Sequence, residues 1–195
     1  MTIGVLNPKS GNLTSVCDML DRLGRGYRVL EKPELEGISQ ILLPGQGRFG
    51  AVMGYLRQYG WEQPLLDWVA AKKPLMGICV GMQVLFESSE EDPGVAGLGI
   101  FKGGVRRLDA PKHPMIGWSK VHWREAPEKE TKYREGAAYF VNSYGLHDHS
   151  ESVATTTYGK SFCVAVARDN IIAFQFHPEK SGNWGRELME QCLIT

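Results

Sequence analysis

The sequence lacks a net charge of either sign: 22 lysines and arginines balance 22 aspartates and glutamates over 195 residues. That balance removes the simplest electrostatic case for nucleic acid or an anionic membrane surface as partner. The sequence also lacks any apolar run of about 18 residues, the length a membrane-crossing helix needs. With no charged-then-apolar leader at the N-terminus, the expectation is a soluble, cytoplasmic protein. Cysteine is scarce. Cys17, Cys79, Cys163 and Cys192 are widely spaced and form no CxxC pair, which argues against a structural zinc site and a thioredoxin-type motif. In a reducing compartment all four are expected as free thiols. His113, His122, His147 and His149 have no partners at useful spacing. His147 and His149 lie two apart, but no third ligand accompanies them, and no metal is expected. Internal repeats and low-complexity linkers are absent too. A chain of 195 residues, 43% of them hydrophobic, can bury one sizeable core and is short for two, so residues 1–195 are read as one domain.

What is present is an alternation of short apolar runs with amphipathic stretches. Ile3 to Leu6 reads as a strand, and Asn12 to Leu23 as a helix with Leu13, Val16, Cys17 and Leu20 on one face, ended by Gly24. Tyr27 to Leu30 and Gln40 to Leu43 are further strands, and Ala51 to Tyr59 and Gln63 to Ala71 are helical patterns. Leu75 to Ile78 is a strand and Gly81 to Ser88 a helix. This order predicts an α/β fold, a parallel sheet with helices on its faces. After about residue 95 the texture turns β-rich, over Gly104 to Leu108, Lys120 to Trp123, Ala138 to Asn142, Val153 to Thr157, Cys163 to Ala167 and Ile171 to Phe174. A last helix is expected over Trp184 to Leu193, and Pro127 to Glu135 as a charged, solvated segment.

Within this pattern Gly77-Ile78-Cys79-Val80-Gly81 places one cysteine between two glycines, directly after an apolar run. Such spacing suits a nucleophile elbow, a tight strand-to-helix turn that leaves the side chain exposed. A helix beginning there would also favour a thiolate through its N-terminal dipole. The segment Phe176-His177-Pro178-Glu179 supplies a base and a carboxylate two residues apart, on one side of an extended chain. Glu179 could then hold one imidazole nitrogen of His177 while the other faces Cys79. An attack on an amide also needs donors for the oxygen that becomes negative. The amide of Val80 is one candidate. The other is the backbone of Pro44-Gly45-Gln46-Gly47, at Gln46, because that run follows a strand and should lie at the same carboxyl edge of the sheet.

Leu43-Pro44-Gly45-Gln46-Gly47-Arg48-Phe49, Gly77 to Gln83 with Leu85 to Glu90 behind it, and Gln175 to Ser181 resemble the class I (triad) glutamine amidotransferases over nearly the whole chain. Within that family they look most like the glutaminase subunits of imidazole glycerol phosphate synthases. Ser10-Gly11-Asn12-Leu13, Gly117-Trp118 and Tyr139-Phe140-Val141 with Ser143-Tyr144 fit the same pattern. The resemblance implies a single-domain, three-layer, flavodoxin-like fold with a mostly parallel central sheet and a β-rich C-terminal half. It implies a thioester mechanism on glutamine through Cys79, His177 and Glu179, with no metal or organic cofactor. It also implies that Gln83, Glu91, Ser143, Tyr144 and the backbone near Gly47 hold the amino-acid end of the substrate. Ammonia would pass to a (β/α)8-barrel cyclase, for which Trp118, Tyr139 and Lys180 belong to interface motifs. Three positions depart from the pattern: Asn7-Pro8-Lys9 replaces Asp-Tyr-Gly, Met115-Ile116 replaces His-Met before Gly117-Trp118, and Asn142 replaces a histidine. None is expected to touch the triad. The competing readings are the glutaminase of pyridoxal phosphate synthesis, disfavoured by Pro44-Gly45-Gln46-Gly47, a non-catalytic subunit, and a stand-alone cysteine hydrolase.

Overall fold

The computed structural model describes residues 1–9, 13–124 and 133–193. Its first half runs β1 (Thr2–Leu6), α1 (Leu13–Arg22), β2 (Tyr27–Leu30), β3 (Ile38–Gly45), α2 (Phe49–Gln58), α3 (Glu62–Ala70), β4 (Leu75–Cys79) and α4 (Val80–Gln83). There follow β5 (Ser88–Ser89), β6 (Gly104–Arg107), β7 (Met115–Trp123), β8 (Gly136–Asn142), β9 (Tyr144–Gly145), β10 (Ser152–Tyr158), β11 (Lys160–Arg168) and β12 (Ile171–Phe174). A 3₁₀ turn over Pro178–Lys180 and α5 (Gly182–Cys192) close the chain. Ser10, Gly11 and Asn12, and residues 127–132 of the expected charged segment, lie outside the described residues.

Nine strands form one sheet in the order β2-β1-β3-β4-β12-β11-β10-β7-β8. The first five are parallel neighbours, and every pairing from β12 outward is antiparallel. The sheet is therefore mixed: the α/β alternation builds its parallel half and the β-rich segments its antiparallel half. The middle strands carry the core. In β4 every residue is buried and in β3 all but one, the near-continuous apolar pattern of a parallel strand covered on both faces. β7 instead alternates exposed positions with buried or partly buried ones, as a strand with one solvated face does. The chain steps outward from β1 to β2 and back across to β3 and β4. Right-handed crossovers then put α1 on one face and α2 with α3 on the other. Phe49, Trp61, Phe86, Phe101, Phe140, Phe174 and Phe176 fill the interior completely.

Two element bounds differ from the sequence reading in ways that matter at the site. The helix expected over Gly81 to Ser88 stops after four residues, at Gln83. Its next carbonyls are taken by distant donors: the N–H of Leu98 bonds the oxygen of Val84, and that of Phe101 the oxygen of Leu85. The chain then turns into β5, which pairs with β6. A helical period over those residues was legible, but long-range backbone partners outcompeted it. The strand expected over Gln40 to Leu43 runs on through Pro44 and Gly45, because Pro44 and Gly45 pair with Ile78 and Cys79.

That pairing brings backbone against backbone. A Cβ on Gly81 would collide with the carbonyl oxygen of Leu43, and one on Gly45 with the amide nitrogen of Gly81. Both obstacles are main chain and cannot rotate away. Replacing Gly81 with alanine should therefore destabilise the fold by about 3 kcal/mol or more, at the upper end of overpacking costs. Urea denaturation of Gly81→Ala against the parent protein measures this, and a loss under about 0.5 kcal/mol would show that the two segments separate freely.

Candidate active site

Cys79 ends β4 and caps α4, with φ 55° and ψ −115°. That backbone state is costly for an L residue and marks a strained strand-to-helix turn. The four-residue helix behind it carries little macrodipole, so the sequence argument from the helix end contributes less than expected. The flanking strands determine what surrounds the thiol. Gly45 of β3 lies in register with Cys79. On the other side Phe174 of β12 pairs with Ile78, so the next residue, Gln175, comes level with Cys79.

Beyond Gln175 the chain stays extended, and side chains alternate. Phe174 and Phe176 stack on one side, ring centroids 5.1 Å apart, which leaves Gln175 and His177 on the other. The N–H of His177 bonds the carbonyl of Tyr139 at 3.0 Å. Ser181 completes this anchor: its hydroxyl donates to the carbonyl of His177 at 2.6 Å and accepts the N–H of Tyr139 at 3.0 Å. The segment carrying His177 is thus locked to β8 by main-chain hydrogen bonds and the Ser181 hydroxyl. Pro178 then begins the 3₁₀ turn that returns Glu179 to His177, where Nδ1 and Oε1 are 2.8 Å apart. Both side chains of this pair are at least 97% buried. The second carboxylate oxygen of Glu179 is buried with no hydrogen-bond partner among the described residues.

Burial alone would depress the pKa of His177. Hydrogen bonds to Cys79 and Glu179, and the negative charge on both, outweigh it and lift the value from 6.5 to about 10. The imidazole is therefore held as imidazolium between a sulfur and a carboxylate. Such an arrangement can deliver a proton to a leaving amine and take one from water.

A cavity of about 390 Å³ opens over Cys79. Its lining includes Gln46, Gly47, Val80, Gln83, Glu91, Ser143 and Tyr144 beside Cys79 and His177, so the residues implied by the resemblance do converge on one space. Glu91 reaches it with its carboxylate already accepting the N–H of Phe49 at 2.9 Å, while Asp92 accepts the N–H of Gly50 and binds Arg48. The two acids cap α2 together. Gln83 is buried and donates through Nε2 to the carbonyl of Tyr144 at 3.1 Å and to Oε1 of Gln175 at 2.9 Å. Asn142, one of the departing positions, lines the same cavity and donates to the Tyr144 carbonyl at 3.0 Å.

Trp118 and Tyr139 do not line the cavity. They are cross-strand partners on β7 and β8, with rings at 6.0 Å in an edge-to-face arrangement. Trp118 is 58% exposed and its neighbour Ile116 63%. Lys180 belongs to the cavity lining. His147 and His149 are spent on the carbonyls of Arg107 and Lys102. Sequence reasoning quoted Gln175 and Ser181 within a motif but assigned neither a task. The alternation that pairs His177 with Glu179 extends back to Gln175 and was the available signal, whereas nothing local distinguishes Ser181.

Residues 15–195 match the family described as Glutamine amidotransferase class-I. The chain belongs to that family, and it is a glutamine amidotransferase. Among curated relatives, the imidazole glycerol phosphate synthase subunit HisH of Desulfitobacterium hafniense is 42% identical, covering 96% of this chain and 92% of that one. The imidazole glycerol phosphate synthase hisHF of Emericella nidulans is 39% identical over 98% of this chain, which corresponds to 38% of that longer protein. A solved glutamine amidotransferase superposes with a TM-score of 0.78 at 22% identity, covering 96% of both chains, and shows the likeness of fold.

Two outcomes follow from this geometry. Cys79→Gly should resist urea better than Cys79→Ala by about 1–2 kcal/mol, because the unfavourable φ burdens any residue with a Cβ; equal stabilities would remove the strain. The raised pKa of His177 means that its charged pair stabilises the fold fully below about 6.5, and that this contribution is lost as pH rises through about 10. By NMR the ring of His177 should titrate near 10 in the parent protein, and lower in Glu179→Gln. An unchanged midpoint in that variant would contradict the carboxylate's role.

Proposed function

We propose that the chain is the glutaminase subunit of an imidazole glycerol phosphate synthase, hydrolysing glutamine through Cys79, His177 and Glu179 and passing ammonia to a cyclase. The observation that carries the chemistry is the convergence of a strained cysteine, a carboxylate-bound imidazolium and two main-chain turns on one cavity. Cys79 sulfur attacks the carboxamide carbon, and the oxygen that becomes negative is received by the N–H of Val80 and by the backbone at Gln46. The C–N bond breaks as His177 protonates the leaving nitrogen, giving ammonia and a glutamyl thioester. Water then attacks the thioester, His177 takes its proton, and glutamate leaves with the sulfur restored. Gln83, Glu91, Ser143, Tyr144 and Gly47 surround the space that the amino-acid end would fill.

The synthase assignment draws on the curated relatives. This chain corresponds to 38% of the longer Emericella nidulans relative, itself described as an imidazole glycerol phosphate synthase, which supports a (β/α)8-barrel cyclase as the partner. The exposed pair Trp118 and Ile116, with Tyr139 beside Trp118 on the next strand and Lys180 in the cavity lining, support a surface suited to that partner. Tyr139 connects it to the base through the carbonyl that holds the N–H of His177. The absence of any described helix long and apolar enough to cross a membrane suits a cytoplasmic enzyme, and residues 1–195 are taken as one glutamine amidotransferase domain.

Glutamate release by the purified chain, alone and with the cyclase barrel carrying its nucleotide ligand, tests this reading. Weak turnover alone, stimulation of tenfold or more by the liganded partner, and none with Cys79→Ala are expected. Turnover that persists in Cys79→Ala would overturn the nucleophile, and high turnover indifferent to the cyclase would make the chain a stand-alone hydrolase.

A further inference from the structure

We propose that Gln175 is a further catalytic residue, whose side-chain amide donates an N–H to the sulfur of Cys79 and holds negative charge on it. The inference rests on Cys79 being the nucleophile of the proposed reaction. Gln175 is wholly buried, and its Nε2 lies 3.8 Å from the Cys79 sulfur, within hydrogen-bonding reach of that large atom. Its backbone is fixed by the bond from its N–H to the carbonyl of Val164 at 2.9 Å, and the β12 register sets it level with Cys79.

An amide can present either its oxygen or its nitrogen, so the direction of this contact has to be decided. The surrounding bonds decide it. The carbonyl oxygen of Tyr144 can only accept, and Gln83 must therefore turn its nitrogen toward it. The same nitrogen faces Gln175, which must answer with Oε1. One end of the Gln175 amide is then committed, and its NH2 is left pointing at the sulfur. Asn142 donates to the same Tyr144 carbonyl, reinforcing its role as acceptor. The polarity of the chain Tyr144, Gln83, Gln175, Cys79 is set by a main-chain atom that cannot flip.

A neutral thiol gains little from such a donor. A thiolate gains more, because a hydrogen bond to the charged form stabilises that form. The amide thus acts on the resting nucleophile from the β12 side, opposite the oxyanion donors, and its hold weakens as the charge passes to oxygen during attack. The titratable groups facing Cys79 are His177 beside it, Glu179 behind His177, and Glu91, Tyr144 and Lys180 across the cavity. All remain in place when Gln175 is changed.

The test is the alkylation rate of Cys79 by iodoacetamide as a function of pH, read by mass spectrometry on the peptide that carries it. It needs neither glutamine nor partner, so a failure of the glutaminase reading leaves it interpretable. Gln175→Met keeps the volume and removes the donor. Its profile should move to higher pH by about one unit. The plateau at high pH should rise about threefold, because nucleophilicity increases with thiol basicity. A packing role alone would move neither, and a profile superimposing on the parent's in folded Gln175→Met would overturn the proposal. Should that variant fail to fold, Gln83→Met decides: it releases the Gln175 amide to rotate and should shift the midpoint in the same direction by a smaller amount, whereas no shift would overturn the proposal equally.

Discussion

Cys79 holds its positive φ only because three strands converge on it. β3 on one side and β12 on the other are hydrogen-bonded to β4 up to its last residues, and the turn into α4 is pressed against the carbonyl of Leu43 with only a glycine between them. A turn of this kind costs about 1–3 kcal/mol when its surroundings do not impose it. Here the parallel sheet imposes it, and the result is a sulfur at the carboxyl edge that is buried, 4% exposed, and reached through the cavity, where the sequence pattern predicted an exposed side chain. The Gln46–Gly47 segment, proposed above to receive the oxyanion, continues β3, the Gln175–His177 segment continues β12, and both therefore arrive beside the sulfur by strand register.

The second half of the molecule completes the site from the antiparallel side. β8 supplies the carbonyl that holds His177, and the residues just after it supply Ser143 and the Tyr144 carbonyl that orients Gln83. Ser181 closes the ring between β8 and the base. Trp118, which is exposed, pairs with the partly buried Tyr139 across β7 and β8, and the carbonyl of that same Tyr139 holds the N–H of His177.

The polar groups of the site are arranged so that each constrains the next. Glu179 fixes the ring of His177, Tyr144 fixes Gln83, and Gln83 fixes Gln175. In a buried setting an unpaired amide or carboxylate costs more than the net gain of a hydrogen bond. That asymmetry is why the orientation of one main-chain carbonyl can propagate across two side chains, Gln83 and Gln175, to the Cys79 sulfur.

The amino-acid sequence by itself determined the alternation of strands and helices in the first half, the elbow at Cys79, and the pairing of His177 with Glu179. These depend on glycine placement and on periods of two or 3.6 residues, which are local properties of the chain. It did not contain the end of the helix after Cys79, because that end is set by Leu98 and Phe101 bonding carbonyls more than a dozen residues upstream. Nor did it contain the mixed character of the sheet, the anchor at Ser181 or the amide chain through Gln83 and Gln175. Those contacts join residues far apart in sequence, Gln83 and Gln175 being separated by 92 positions. Only the tertiary structure decides them, because strand register and the pairing of buried polar groups act on the whole fold at once.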